Sequence, residues 1–304
     1  MMDTTDRQRH RGKPGWLKRR LPSGPAYERL RRLLQVHGLT TVCQEAQCPN
    51  QFECYAKGTA TFMIMGKLCT RNCRFCAVGH SPTGPPDPEE PVLVAEAVEL
   101  MGLRYAVVTS VTRDDLADGG ASFFADTIRA IKERMPATLV EVLIPDLQGD
   151  WDGLEKILEA CPDVLNHNIE TVGRLYPLVR PGAAYTRSVD LLRQVKRITP
   201  KIPTKSGIML GLGESDEELF ATMGDLLAAG CDILTLGQYL QPSPAHLPVE
   251  RYVPPDEFQS LQAKAMKLGF AGVAAGPFVR SSYQAEKLYK QAAKRFSVKS
   301  EETD

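Results

Sequence analysis

The stretch Thr59-Ala60-Thr61-Phe62-Met63-Ile64-Met65-Gly66-Lys67-Leu68-Cys69-Thr70-Arg71-Asn72-Cys73-Arg74-Phe75-Cys76 joins an apolar run, read as a strand over 59–67, to a loop holding three cysteines. Further strand-like runs follow at 105–110, 138–144, 164–170, 204–210 and 232–237. Helical patterns separate them at 89–101, 121–134, 151–160, 188–198 and 215–229, with 256–268 after the sixth strand. This alternation predicts an α/β fold of βα units around a parallel sheet. Six units make a partial (β/α)6 barrel of the TIM type rather than the full eight. Barrel enzymes place their chemistry at the C-terminal ends of strands, which is where the cysteine loop falls. The helix over 215–229 carries the plainest signals: Ser215 to cap it, Asp216, Glu217 and Glu218 at its positive end, and Gly230 to close it. The expected division is an N-terminal extension over 1–58, the barrel over 59–269 and a C-terminal extension over 270–304. The last apolar run, Phe270 to Val279, is expected to pack near the barrel.

Composition agrees with one large domain. The chain has 304 residues, 37 basic and 37 acidic, with 43% hydrophobic residues, enough to fill a core. Zero net charge gives no general pull toward phosphate backbones, so no nucleic-acid partner is expected. No run approaches the roughly 18 uninterrupted apolar residues of a membrane span. The start is polar and basic, with Arg7, Arg9, Arg11, Lys13, Lys18, Arg19 and Arg20 but no apolar h-region, so it is no secretory signal. Asp3 and Asp6 argue against a mitochondrial transit peptide, and the expected location is a bacterial-type cytoplasm. This arm reads mostly as solvated, with Trp16 and its arginines placed to cover a nearby site.

The cysteines fall into two populations. Cys43, Cys48, Cys54, Cys69, Cys73 and Cys76 are clustered, whereas Cys161 and Cys231 stand alone and are expected to be buried small hydrophobes. Without a signal peptide, clustered thiols point to metal rather than disulfides. The spacing gives two triplets, Cys43-x4-Cys48-x5-Cys54 and Cys69-x3-Cys73-x2-Cys76. A structural zinc site wants four N/S ligands, usually in CxxC pairs, and neither triplet supplies them. Three thiolates on an iron–sulfur cubane leave its fourth iron open for chemistry.

The segment Cys69-Thr70-Arg71-Asn72-Cys73-Arg74-Phe75-Cys76 resembles the C-x3-C-x-aromatic-C signature of the radical S-adenosylmethionine superfamily. The upstream triplet together with Arg280-Ser281-Ser282-Tyr283 narrows the resemblance to the lipoyl synthase family, over Lys13-Pro14-Gly15-Trp16-Leu17-Lys18 to Tyr283. The resemblance implies two [4Fe–4S] clusters. Cys69, Cys73 and Cys76 would hold the one that binds S-adenosylmethionine. Cys43, Cys48, Cys54 and Ser282 would hold an auxiliary cluster in the extensions, with serine oxygen a harder and weaker match for iron than thiolate. Gly207, Gly211 and Glu214 resemble the superfamily's G-x-I-x-G-x-x-E strand, with Met209 in the isoleucine slot. Candidate contacts of the cofactor are Phe75, Thr109, Ser110, Asn168, Glu170, Arg187, Lys205 and Met209, chosen for their place at predicted strand ends and in these motifs. His167 is expected to be a satisfied strand-end histidine, since radical abstraction needs no general base.

By the same resemblance the reaction is insertion of two sulfur atoms at C6 and C8 of an octanoyl chain on a carrier-protein lysine. A deoxyadenosyl radical removes each hydrogen and the auxiliary cluster gives up sulfide. The implied partners are an octanoylated carrier (H protein or E2 lipoyl domain), an electron donor such as ferredoxin or flavodoxin, and a cluster-repair carrier. Two other readings stay open on the residues alone: a methylthiotransferase acting on transfer RNA or a ribosomal protein, and a non-catalytic zinc module.

Overall fold

The computed structural model describes residues 13–18, 25–46, 48–56, 60–81 and 83–301. Arg7, Arg9, Arg11, Arg19 and Arg20 lie outside them. The main sheet has seven parallel strands in sequential order: β1 (Thr61–Ile64), β2 (Tyr105–Ser110), β3 (Leu139–Leu143), β4 (Val164–Asn166), β5 (Thr204–Leu210), β6 (Ile233–Gln238) and β7 (Gly272–Gly276). The residues of β1 to β6 are buried almost throughout, as expected where helices cover one face and a filled interior the other.

The N-terminal segment contributes α1 (Pro25–Val36), α2 (Val42–Glu45) and α3 (Gln51–Ala56). The crossover helices are α4 (Glu90–Leu100), α5 (Ala121–Arg134), α6 (Trp151–Glu159), α7 (Tyr176–Val179), α8 (Tyr185–Ile198), α9 (Asp216–Ala228) and α10 (Pro255–Leu268), and α11 (Ala285–Glu301) follows the last strand. Sequence logic accounts for α9 at both ends. Glu218 N–H donates to Ser215 Oγ at 3.3 Å while Ser215 N–H donates to the Glu218 carboxylate at 2.9 Å, a reciprocal capping box. At the other end Gly230 takes φ +84°. Gly230 N–H reaches the Leu227 carbonyl and Cys231 N–H the Leu226 carbonyl, closing a Schellman turn.

The structure corrects four expectations. The run 270–279 does more than pack nearby: it forms β7, a seventh parallel strand on β6. The first strand stops at Ile64, because Met65 and Gly66 turn to φ +66° and +91° and lead into the cysteine loop. The fourth strand stops at Asn166, after which the chain crosses toward β5 and pairs again only where Glu170 bridges Ile208. Cys161 is exposed rather than buried, since it takes the left-handed position (φ +57°) that ends α6 and turns its side chain outward. Cys231 is buried as expected.

The barrel interior is polar near β3 to β5. Lys205 Nζ lies 2.8 and 3.1 Å from the two Glu141 oxygens, both side chains fully buried. Tyr105 Oη and Asn166 Nδ2 donate to the same carboxylate at 2.6 and 3.0 Å. Four hydrogen bonds from three partners on one carboxylate answer the cost of burying a charge pair.

Candidate active site

The three downstream cysteines occupy the loop between β1 and α4, at the C-terminal ends of the strands. Cys69 Sγ accepts backbone N–H groups from Arg71 at 3.4 Å and Thr112 at 3.3 Å. Arg74 N–H donates to the Val179 carbonyl and Leu247 N–H to the Arg74 carbonyl. His246 Nε2 donates to the Cys76 carbonyl at 2.9 Å, because a carbonyl can only accept. Loops from three other strands therefore clamp this one. Arg71, inside the motif, is nearly buried and forks onto Asp114 (2.6 and 2.8 Å) and Asp146 (2.6 Å). Arg113 spans the loop's two ends, donating to the Met65 carbonyl at 3.3 Å and the Gly84 carbonyl at 2.8 Å, with Asp115 balancing its charge.

Burial pushes the Cys76 thiol up to about 12, with Cys73 and Cys69 adding like-charge repulsion. Burial also raises Cys73, opposed by the guanidinium of Arg180 beside it. That mutual influence places the three sulfurs in one neighbourhood, and iron would replace their protons.

The expected cofactor contacts divide into groups. Phe75 and Met209 meet in one apolar cluster with Val172, Leu175, Val179, Leu212, Tyr239 and Leu247, a shelf suited to a flat ring. Asn168 Nδ2 donates to Glu170 Oε1 at 3.1 Å, and Glu170, at φ +66°, sits among Arg180, Arg280 and Asn168. Ser110 Oγ is buried without a partner. Arg187 stands behind the loop, its Nη1 3.4 Å from Asp146 Oδ2. Thr109 Oγ1 donates to the Leu143 carbonyl at 2.8 Å and Lys205 is engaged by Glu141, so both are committed within the barrel.

Buried polar atoms without partners test whether a ligand fits. Ser110 Oγ, Asn166 Oδ1, His167 Nε2, Thr171 Oγ1 and Arg180 Nε lie at or just beyond the ends of β2 and β4 and in the following loops. Native interiors rarely leave such groups unpaired. Donors, acceptors and hydroxyls left open beside an apolar shelf suit a zwitterionic nucleoside, and the residues present fit S-adenosylmethionine. His167 departs from expectation in one respect. Its Nδ1 donates to the Ile144 carbonyl at 2.8 Å, but Nε2 has no partner. Burial lowers its pKa to about 4, holding the ring neutral.

The upstream triplet forms a second neighbourhood. Cys43 lies on α2, Cys54 on α3 and Cys48 in the turn between them. Burial pushes Cys43 up to about 12, with Cys48 and Cys54 as like-charge neighbours. The segment is sewn to β1 by Met63 N–H donating to the Thr40 carbonyl at 2.9 Å and by an antiparallel bridge from Thr41 to Phe62. Tyr27 of α1 stacks on Phe52, ring centroids 5.1 Å apart.

Ser282 comes to this second site from the other end of the chain. Thr61 Oγ1 donates to Ser282 Oγ at 2.9 Å, and the backbone of the same Thr61 lies beside the Cys43 thiol, where it works against the burial that raises it. Asn50 Nδ2 donates to the Phe278 carbonyl at 2.6 Å, and Tyr283 Oη lies 3.4 Å from Glu53 Oε1. The close approach of 278–283 to β6 depends on Gly237, where a Cβ would stand 2.2 Å from the Val279 carbonyl oxygen. Among the described residues no group of three His, Cys, Asp or Glu converges on one ion position; a cubane asks for no such convergence, since each of its thiolates binds a different iron.

Sequence reasoning missed Arg71, Arg113, Asp146, Arg180, His246 and Thr61. Arg71 and Thr61 stand inside the quoted stretch 59–76, where Arg71 is a cation among cysteines, and the one local signal of Arg180 was its place before Pro181. The others act through partners far away in the chain.

The model of the Radical SAM superfamily matches residues 63–226. The chain is 65% identical over 281 residues to the lipoyl synthase of Desulfotalea psychrophila, covering 92% of this chain and 94% of that protein. It is 56% identical over 287 residues to the lipoyl synthase of Thermus thermophilus, covering 94% and 89%. Among solved structures it resembles HydG, a maturase of the [FeFe]-hydrogenase, with TM-score 0.59 and 15% identity over 76% of this chain and 54% of that one. Streptococcus suis SuiB bound to its precursor peptide gives TM-score 0.55 and 10% identity over 79% and 49%. These two likenesses are of fold alone.

Proposed function

The chain belongs to the lipoyl synthase family of radical S-adenosylmethionine enzymes, and from that premise we propose that two separate cysteine sites divide the insertion of two sulfur atoms, at C6 and C8 of a protein-bound octanoyl-lysine, between them. When bound, S-adenosylmethionine and its [4Fe–4S] cluster supply the radical that an unactivated C–H bond requires, and a second, auxiliary [4Fe–4S] cluster supplies sulfur. The first cluster is held by Cys69, Cys73 and Cys76, the second by Cys43, Cys48, Cys54 and Ser282.

The observation that carries this division is the position of Thr61. Its hydroxyl serves Ser282 and its backbone lies beside Cys43, while the strand it begins runs into the loop of Cys69 to Cys76. One strand thus supports a three-thiol site with a serine added and a three-thiol site without one. A hydroxyl donating to Ser282 Oγ also eases negative charge on that oxygen when it binds iron.

The remaining residues bind, orient and exclude water. Phe75 and Met209 take the adenine on their apolar shelf. Asn168 and Glu170 offer acceptors to the ribose or the ammonium, and Ser110 offers its open hydroxyl. Arg187, through Asp146 and Arg71, stiffens the loop behind the first cluster. Thr109 and Lys205 shape the barrel beneath rather than touch the ligand first. His167 stays neutral at working pH and is not asked to move a proton.

The substrate is an octanoylated carrier, either an H protein or an E2 lipoyl domain. A low-potential donor such as ferredoxin or flavodoxin reduces the first cluster, and an iron–sulfur carrier rebuilds the second. No helix among the described residues is long and apolar enough to cross a membrane, and the eight free thiols suit a reducing cytoplasm. The test is anaerobic reconstitution followed by reaction with S-adenosylmethionine, reductant and an octanoyl-lysine peptide. Mass analysis should find two added sulfurs; a methylthio product or no sulfur would overturn the proposal.

A further inference from the structure

Two adjacent serines in the C-terminal segment point at different parts of the molecule. Ser282 meets Thr61 on β1, beside the upstream triplet. Ser281 instead enters the barrel at the end of β4. Its Oγ accepts from Asn166 Nδ2 at 2.7 Å and donates to Asn168 Oδ1 at 2.9 Å. Asn168 passes the chain on, its Nδ2 donating to Glu170 Oε1 at 3.1 Å. Asn166 is fixed from below by Glu141, which Lys205 and Tyr105 hold in turn.

A serine hydroxyl has one proton to give, and Ser281 spends it on Asn168 while Asn166 fills an acceptor position. Its neighbour is one Cα step, about 3.8 Å, along the chain. We propose that Ser281 is a positioning residue that ties the auxiliary-site serine to the strand end that holds S-adenosylmethionine, setting the sulfur donor and the radical source at a fixed separation. The inference rests on the assignment of Ser282 to the auxiliary cluster. The tie is made of side chains already partnered, so it needs no motion to form. Because Asn168 serves both Ser281 and Glu170, a ligand that engages Asn168 or Glu170 is felt at Ser281, and linkage requires the reverse as well.

The experiment uses the reconstituted holoenzyme and its Ser281→Ala, Ser281→Thr, Ser281→Val and Ser282→Ala variants. Ser281→Ala should load both clusters and still make 5′-deoxyadenosine, but the ratio of deoxyadenosine to inserted sulfur should rise several-fold. Ser281→Thr, which keeps the hydroxyl, should restore the ratio. Ser281→Val against Ser281→Thr makes the same comparison at equal volume if the alanine variant loads poorly. Independently of turnover, Mössbauer spectra should show the oxygen-ligated iron responding to S-adenosylmethionine in the unaltered enzyme and Ser281→Thr, with no response in Ser281→Ala or Ser281→Val. A normal ratio and a normal spectral response in the variants lacking the hydroxyl would overturn the tie. An unchanged auxiliary spectrum in Ser282→Ala would instead overturn the ligand assignment on which it rests.

Discussion

The two cysteine sites are built by opposite strategies. The downstream site is one loop, Cys69 to Cys76, pinned by neighbouring loops of the same barrel through Arg71, Arg113 and His246. The upstream site carries its cysteines on the N-terminal helices α2 and α3 and the turn between them rather than in a barrel loop. It borrows β1 on one side and the segment 278–283 on the other, through Thr61–Ser282 and Asn50–Phe278 contacts that join residues 221 and 228 positions apart. A site meant to fire repeatedly gains from a rigid cradle of buried ion pairs. One meant to surrender its contents gains from a ligand on a segment anchored by a few hydrogen bonds.

The sharpest way to break this contrast is to remove one thiol from each site. Cys73→Ala should abolish cleavage of S-adenosylmethionine, whereas Cys48→Ala should keep some cleavage and lose sulfur insertion; chromatography of deoxyadenosine beside product mass reads both. Each variant should lose about four irons, those of a single cubane. Lipoyl product from the Cys48 variant would sink the division of labour.

Next in size is the cradle itself. Asp146→Asn removes the buried partner of Arg71 and Arg187 and should cost about 3–5 kcal/mol in urea unfolding of the cluster-free protein. Iron at the downstream site should fall with it, while the upstream site keeps its own.

His167 gives the downstream side a pH signature. In the unfolded chain it takes up a proton near 6.5, but in the folded protein only near about 4. Between those values the unfolded state binds more protons, so stability is full above 6.5 and declines as pH falls toward 4. The loss should total on the order of 3 kcal/mol. His167→Asn should flatten that part of the acid limb; an unchanged slope would mean that the ring already charges in the folded state.

The smallest effect belongs to the upstream side. Thr61→Val leaves the backbone beside Cys43 in place and deletes the hydroxyl that serves Ser282, costing about 1 kcal/mol. Its reading is the rate at which chelator strips iron from the upstream site, which should rise while the downstream site is untouched.

What was legible in the sequence tracks how local its cause is. Strands 105–110 and 204–210 and helix 121–134 were readable to the residue, since short apolar runs such as 106–108 and 208–210 mark strands that are buried in a sheet. Gly272-Val273-Ala274-Ala275-Gly276 was not read as β7, because one β-branched residue in five is a weak strand signal and the pairing comes from the edge that β6 offers. The cysteine triplets were plain from spacing. Asp146 was not, because its ion pairs are with Arg71 and Arg187, both remote in the chain. Lys205 was read as a ligand contact as part of a strand end, although it stands near the start of β5. Only the fold reveals that Glu141 waits opposite it.

The 221-residue separation of Thr61 and Ser282 also sets a timetable. A ribosome adding about 5–20 residues per second needs roughly 10–45 s to travel that distance. Throughout that interval Cys43, Cys48 and Cys54 are already made, and the serine proposed to complete their site is not. On the proposed assignment the sulfur-bearing site is thus the last to be finished during synthesis, and its three thiols spend the wait open to oxidation or to a wrong metal.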